Sequence, residues 1–176
     1  MLYHSSKIIN SALLDELWEH RQDKIKLEQS QMMYSGGDRS KTGEVKLDSR
    51  NTLVANEIDY RMYPEICKDL QEGCNNIYDE DLRVNQFNYL VYLKGMFFKP
   101  HKDIPEDLLH YRKYTSITLM YKSQDYAGGN LGLHVDGKNI QPQLEVGETL
   151  VFPSTWLHWV DPVQSGRREV LVAWLH

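Results

Sequence analysis

Two histidines and an aspartate in this chain have the types and spacing to hold a metal ion. Lys99-Pro100-His101-Lys102-Asp103 sets an imidazole and a carboxylate two residues apart. On an extended chain such residues project to the same side, so His101 and Asp103 would aim at one point. A third donor must come from elsewhere, and His158 stands at the start of a later strand-like segment. Two imidazoles and one carboxylate on one side of an ion leave its remaining positions open. That arrangement suits non-haem Fe(II), which must bind a co-substrate and O2 together. The triplet alone is not specific, because a surface His beside an Asp needs no function. His4, His20, His110, His134 and His176 are further imidazoles in the chain.

The elements that must position these residues fall into two parts. About residues 1–80 read as mostly helical. Ser11 is suited to cap a helix with Asp15 and Glu16 in its first turn, and Leu13, Leu14, Leu17 and Trp18 share one face. A second helix is expected to start near Pro64 and stop at Gly73, with Ile66, Cys67 and Leu70 inward. Between the helices, Ser35 to Arg50 carries Gly36, Gly37 and Gly43 and reads as a loop or hairpin tip, a candidate lid. From about residue 84 the pattern changes to short strands. These are Phe87–Leu93, Ser116–Tyr121, Leu131–Val135, Asn139–Leu144 after a tight turn at Asp136-Gly137, Thr149–Phe152, His158–Val160 and Arg168–Leu175. Such spacing predicts an antiparallel sandwich or barrel, with the earlier helices packed on one face of a sheet. No repeat appears, so residues 1–176 are expected to form one domain.

Composition narrows the function classes. Hydrophobic residues make up 41% and charged residues 26%, as in ordinary globular proteins. The net charge of −5 shows no basic excess, which argues against nucleic acid as the main partner. No apolar run approaches a membrane span, and Met1 to Asn10 lacks the apolar core of a secretory signal. Cys67 and Cys74 have no CxxC partner, so buried reduced thiols and a cytoplasmic setting are expected.

The segments around the candidate ligands carry a resemblance. Gly147-Glu148-Thr149-Leu150-Val151-Phe152-Pro153-Ser154 leads to His158, then Pro162-Val163, Gly166-Arg167-Arg168 and a strand reaching Trp174. Upstream lies Asp125-Tyr126-Ala127-Gly128-Gly129-Asn130-Leu131. Together these resemble the prolyl 4-hydroxylase-like branch of the Fe(II)/2-oxoglutarate dioxygenases, in particular its small bacterial hydroxylases. The resemblance covers roughly residues 85 to 176, and Asn130 stands where the family usually has Glu. It implies a mainly β fold of α+β type. The core would be a double-stranded β-helix (a cupin-like jelly roll) at about residues 84–176, with N-terminal helices on one sheet. It also implies that His101, Asp103 and His158 are the catalytic metal ligands.

The far carboxylate of 2-oxoglutarate needs a buried cation, and a guanidinium matches a carboxylate with paired hydrogen bonds. The family spacing implies Arg168, ten residues after His158 and six before Trp174. Strand alternation sets Arg168, Val170, Val172 and Trp174 on one face and Arg167, Glu169 and Leu171 on the other, so Arg167 reads as a surface charge. A tyrosine hydroxyl commonly assists in the family. Tyr92, in Val91-Tyr92 upstream of Pro100-His101, and Tyr121 on the next strand are the candidates among eleven tyrosines.

The implied reaction consumes 2-oxoglutarate and O2, releases succinate and CO2, and hydroxylates an unactivated C–H, with ascorbate as a reductant. The implied substrate is a prolyl or other residue in a peptide or protein, or a free amino acid. Ile104 to Lys113, beside the ligands, carries charges suited to a polar substrate. Oxidative demethylation, a non-catalytic metal and 2-oxoglutarate binding module, and a cupin-like zinc hydrolase remain as alternatives.

Overall fold

The computed structural model describes residues 4–30, 47–104 and 112–176. In chain order the elements of the first part are β1 (His4–Ser6), α1 (Ser11–Lys24), β2 (Glu28–Gln29), β3 (Arg50–Asn51), β4 (Leu53–Val54), a 3-10 turn (Tyr60–Met62) and α2 (Pro64–Tyr78). The second part contains β5 (Val84–Leu93), β6 (Phe97–His101), β7 (Tyr114–Lys122), β8 (Ala127–Gly128), β9 (Leu131–Val135) and β10 (Lys138–Ile140). It ends with β11 (Thr149–Pro153), β12 (His158–Val160), β13 (Val163–Ser165) and β14 (Arg167–Leu175).

Among the described residues the strands form a seven-stranded sheet, β1-β11-β7-β14-β5-β4-β2, and a five-stranded sheet, β10-β9-β12-β6-β3. A small third pair joins β13 to β8. All pairings are antiparallel. This is the expected jelly roll. One core lies between the two sheets, built from residues such as Leu90, Ile117, Leu133, Phe152 and Val172. The other lies between the seven-stranded sheet and the helices, where Leu17, Ile66 and Leu70 meet Tyr89, Val91 and Leu171. Burying each such apolar side chain stabilises the fold by roughly 1.5–3 kcal/mol, which is what holds the helices on that face.

The N-terminal part is less helical than expected. It also supplies β1, β2, β3 and β4, which extend both sheets, so residues 50–54 run from β3 at the edge of the five-stranded sheet to β4, between β5 and the outer β2 of the seven-stranded sheet. The cap of α1 is Asn10 rather than Ser11: its side chain accepts from the Ala12 amide at 2.9 Å. Asn10 also donates its own amide to Asp69 of α2, tying the two helices together. Helix α2 passes straight through Gly73 and ends at Asp79, whose φ is 54°. Gly73 is a contact point and not a stop, since a Cβ there would fall 2.2 Å from Cγ2 of Ile8. The inward face therefore continues to Cys74, while Cys67 is only half-buried. The turn at Asp136-Gly137 forms as read, with φ of 49° and 76°, the double left-handed geometry that joins two hairpin strands.

Both cysteines are free. Burial pushes the Cys67 thiol up to about 11 and the Cys74 thiol up to about 12. At pH 8 almost no thiolate exists at either position, and the thiolate is the reactive form. An aromatic disulfide reagent at pH 8 is expected to leave both unmodified in the native protein and to titrate two thiols once denaturant is added. Rapid native reaction at Cys74 would contradict its placement.

Candidate metal centre

Strand β6 ends at His101, and β12 begins at His158 directly across from it in register. Asp103 follows two residues beyond His101, and its backbone amide is fixed to the Ser154 carbonyl at 3.1 Å. Oδ1 of Asp103 then lies 3.6 Å from Nε2 of His101 and 3.5 Å from Nε2 of His158. The three donor atoms fall within 4.8 Å of one another, the one such cluster of three or more among the described residues. Donors around an octahedral ion with bonds near 2.1 Å are about 3 Å apart, so small side-chain movements would close this set on one cation.

Each ligand candidate is oriented by a second contact. Nδ1 of His101 lies 2.8 Å from the Lys99 carbonyl, and Nδ1 of His158 lies 3.0 Å from the Trp156 carbonyl. Those carbonyls accept only, so both Nδ1 atoms carry hydrogen and each Nε2 faces the centre. Oδ2 of Asp103 accepts from Thr115 Oγ1 at 2.7 Å and from Trp174 Nε1 at 2.9 Å, leaving Oδ1 for the centre. Burial alone would raise the Asp103 carboxyl. The His158 charge and hydrogen bonds from both imidazoles outweigh it and hold the carboxyl well below its usual range. Burial likewise pushes His158 down, but the Asp103 charge and hydrogen bond win and raise it. His101 is lowered, first by burial and then by its neighbour His158.

The cluster opens into a cavity of about 280 Å³ between the sheets. Arg168 lines this cavity and is only 6% exposed. Its guanidinium carbon sits 5.7 Å from the Tyr92 ring centre, and the two residues are cross-strand partners. No carboxylate side chain pairs with Arg168 among the described residues, so a buried cation faces the cavity.

The profile of the 2OG-Fe(II) oxygenase superfamily matches residues 87–176, which holds every residue of this cluster. The chain belongs to the 2OG-Fe(II) oxygenase superfamily. A PKHD-type hydroxylase from Colwellia psychrerythraea is 42% identical over 52 residues, 30% of this chain and 23% of that protein. The chain thus spans well under half the length of the curated relatives it matches. Among solved structures, a Pseudomonas putida prolyl-4-hydroxylase superposes with a TM-score of 0.69 at 18% identity, covering 98% of this chain and 91% of that one. A Trichoplax adhaerens prolyl hydroxylase, in complex with a hypoxia inducible factor peptide fragment, gives 0.65 at 17% identity over 98% and 82%. At these identities the likeness shows a shared fold.

The remaining expected residues divide. Tyr92 is buried in the cavity wall beside Arg168, where burial raises its hydroxyl against the pull of Arg50 and Arg168. Tyr121 is not at the site. Strand β7 carries one extra residue, Met120, opposite the Glu169/Val170 step of β14. That bulge reverses the alternation, so Lys122 sits across from Arg168. Tyr121 turns to the helical face and stacks on Trp18 with ring centres 5.7 Å apart. Arg167 is not a surface charge either: it is half-buried and ion-paired with Glu169, without hydrogen-bond geometry.

Three further cavity residues are not singled out individually in the sequence, although Arg50 ends the expected lid segment and Arg112 lies in the charged segment after the ligands. Arg50 is 8% exposed, lies 4.5 Å over Phe98, and Phe98 stacks on His101. Arg112 donates to the Asp103 carbonyl and to Gln86, and covers the Trp174 ring at 4.1 Å. Thr115 holds the ligand carboxylate, as above. Of the expected lid, residues 35–46 lie outside the described residues, as do 105–111 of the charged segment that follows the ligands. Asp125-Tyr126-Ala127-Gly128-Gly129 packs tightly because the Tyr126 hydroxyl donates to the Gly129 carbonyl, and a Cβ on Gly129 would fall 2.1 Å from it.

Proposed function

We propose that this chain is a 2-oxoglutarate-dependent hydroxylase, with His101, Asp103 and His158 as ligands of one Fe(II). The observation that carries the reading is one cavity with two features. It holds two Nε2 atoms and one carboxylate oxygen converging at one end, and a buried arginine without a carboxylate partner further in. Bound Fe(II) with 2-oxoglutarate would supply O2 activation coupled to decarboxylation to succinate and CO2. The chain's own part is placement. The Lys99 and Trp156 carbonyls fix the imidazole tautomers, and Trp174 and Thr115 hold Asp103 to one free oxygen. Arg168 takes the far carboxylate of the co-substrate with Tyr92 beside it, and the apolar wall of Leu90, Ile117, Val170 and Val172 keeps water out.

A prolyl or other amino-acid side chain of a peptide is the proposed substrate. It is supported by the prolyl hydroxylase neighbours, one of them in complex with a peptide. Ascorbate as reductant and a cytoplasmic setting, supported by two free thiols, complete the reading.

The test is release of succinate from 2-oxoglutarate by the Fe(II)-loaded protein with proline-containing peptides. Mass gain by one oxygen and no formaldehyde are expected; formaldehyde release would favour demethylation instead. Arg168→Met should raise the KM for 2-oxoglutarate by about 10- to 100-fold, the worth of a charge-assisted carboxylate contact, with a smaller change in kcat. An unchanged KM would remove Arg168 from the co-substrate site. Trp174→Phe keeps an aromatic side chain, though a smaller one, and deletes one donor to Asp103. It should weaken Mn(II) affinity by about tenfold or more, as loss of an outer partner of a metal ligand does, while the smaller buried ring lowers Tm without unfolding the protein at the temperature of the assay.

A further inference from the structure

A second cavity of about 520 Å³ lies behind Arg168, at the end of the sandwich away from Trp174, and Arg168 lines both. Its other walls come from Lys122 at the end of β7, the Tyr126–Leu131 segment, and Pro142 to Leu144. Lys122 is the cross-strand partner of Arg168, so two cations stand directly opposite each other. Like charges in that position repel. No acidic side chain lines this cavity, and neither cation is ion-paired among the described residues. Asp125, the nearest carboxylate in sequence, is turned to the Ser123 hydroxyl at 2.7 Å. The side-chain amides of Asn130 and Gln143 add neutral donors to the same walls.

We propose that this second cavity binds a small oxyanion, phosphate or a short dicarboxylate, between Arg168 and Lys122. An anion there relieves the cation–cation repulsion and draws on the guanidinium that the first cavity also uses. Occupancy of the second cavity therefore opposes 2-oxoglutarate in the first, and the antagonism is reciprocal. This coupling rests on the co-substrate role of Arg168; the anion site itself does not.

The test uses metal-free protein in a phosphate-free buffer, with inorganic phosphate followed by 31P line broadening and malonate titrated separately by calorimetry. Saturable binding of either, weakened at least tenfold in Lys122→Gln, is expected. Mn(II)-loaded protein should then show at least a tenfold weaker Kd for 2-oxoglutarate in saturating phosphate, an effect absent in Lys122→Gln and not reproduced by sodium chloride at equal ionic strength. Absence of saturable binding, an equal effect of sodium chloride, or loss of 2-oxoglutarate affinity in Lys122→Gln without phosphate would each overturn the proposal. Phosphate binding without any 2-oxoglutarate binding would leave the anion site standing and overturn the co-substrate role of Arg168.

Discussion

Asparagine in place of Asp103 is expected to cut metal-dependent turnover by about 100- to 1,000-fold or more, the scale of losing one partner from a buried charged cluster. The substitution preserves shape, so the fold should survive it. Its amide cannot serve both sides of the site. Oδ2 accepts from Thr115 and Trp174, while Oδ1 faces both Nε2 atoms. An asparagine has one acceptor and one donor end. If its oxygen keeps the Thr115 and Trp174 bonds, an NH2 group points at the cation; if it flips, the NH2 meets the indole N–H. Mn(II) affinity, succinate formation and a thermal melt on the same preparation check this. Wild-type metal affinity in Asp103→Asn would remove Asp103 from the ligand set.

Glu169→Ala should be the most destabilising substitution outside the metal cluster. Glu169 is fully buried and accepts from Arg21 at 2.8 and 3.1 Å, from the Tyr89 hydroxyl at 2.7 Å and from Gln22 at 3.3 Å, with Arg167 ion-paired to it. Removing the carboxylate leaves Arg21, itself 5% exposed, as an uncompensated buried charge. Such a loss costs about 3–5 kcal/mol, which for a domain of this size lowers Tm by roughly 6–20 °C. The paired variant Arg21→Met/Glu169→Leu should recover part of it by removing the buried charge on Arg21, the rest staying lost because the Tyr89 hydroxyl and Arg167 still lack the carboxylate. A single-variant Tm within 2 °C of wild type, by the ~2–4 °C per kcal/mol scale, would show that the pair does not anchor α1 to the sheet.

What the sequence made legible follows from how local each signal is. Two-residue spacing on an extended chain makes His101 and Asp103 candidates without knowledge of the rest of the fold, but the triplet alone is not specific and leans on the pattern around His158. The Asp136-Gly137 turn and most strands after residue 84 were readable from local signals. His158 and Arg168 needed the longer pattern from Gly147 to Trp174. Tyr121 was misplaced because the bulge at Met120 adds one residue to β7, and nothing in Leu119-Met120-Tyr121 announces it. A glycine that ends a helix and one that makes room for Ile8 look alike in sequence, so Gly73 reads as a helix end until Ile8 is seen packed against it. Arg50 and Thr115 reach the site only through pairing of distant strands, β3 on β6 and β7 beside β14. Arg167 reads as a surface charge in sequence because its partner Glu169 becomes buried only once α1, which brings Arg21 to the same carboxylate, packs on the sheet.

The most direct measurement is an anaerobic titration of the purified protein with Fe(II) and 2-oxoglutarate, following the weak visible charge-transfer band of their chelate. The reading of His101, Asp103, His158 and Arg168 as one site predicts a saturable one-to-one band that disappears in His158→Ala and needs far more 2-oxoglutarate in Arg168→Met. A wild-type protein that binds Fe(II) but shows no band, or a band unchanged in His158→Ala, would contradict it.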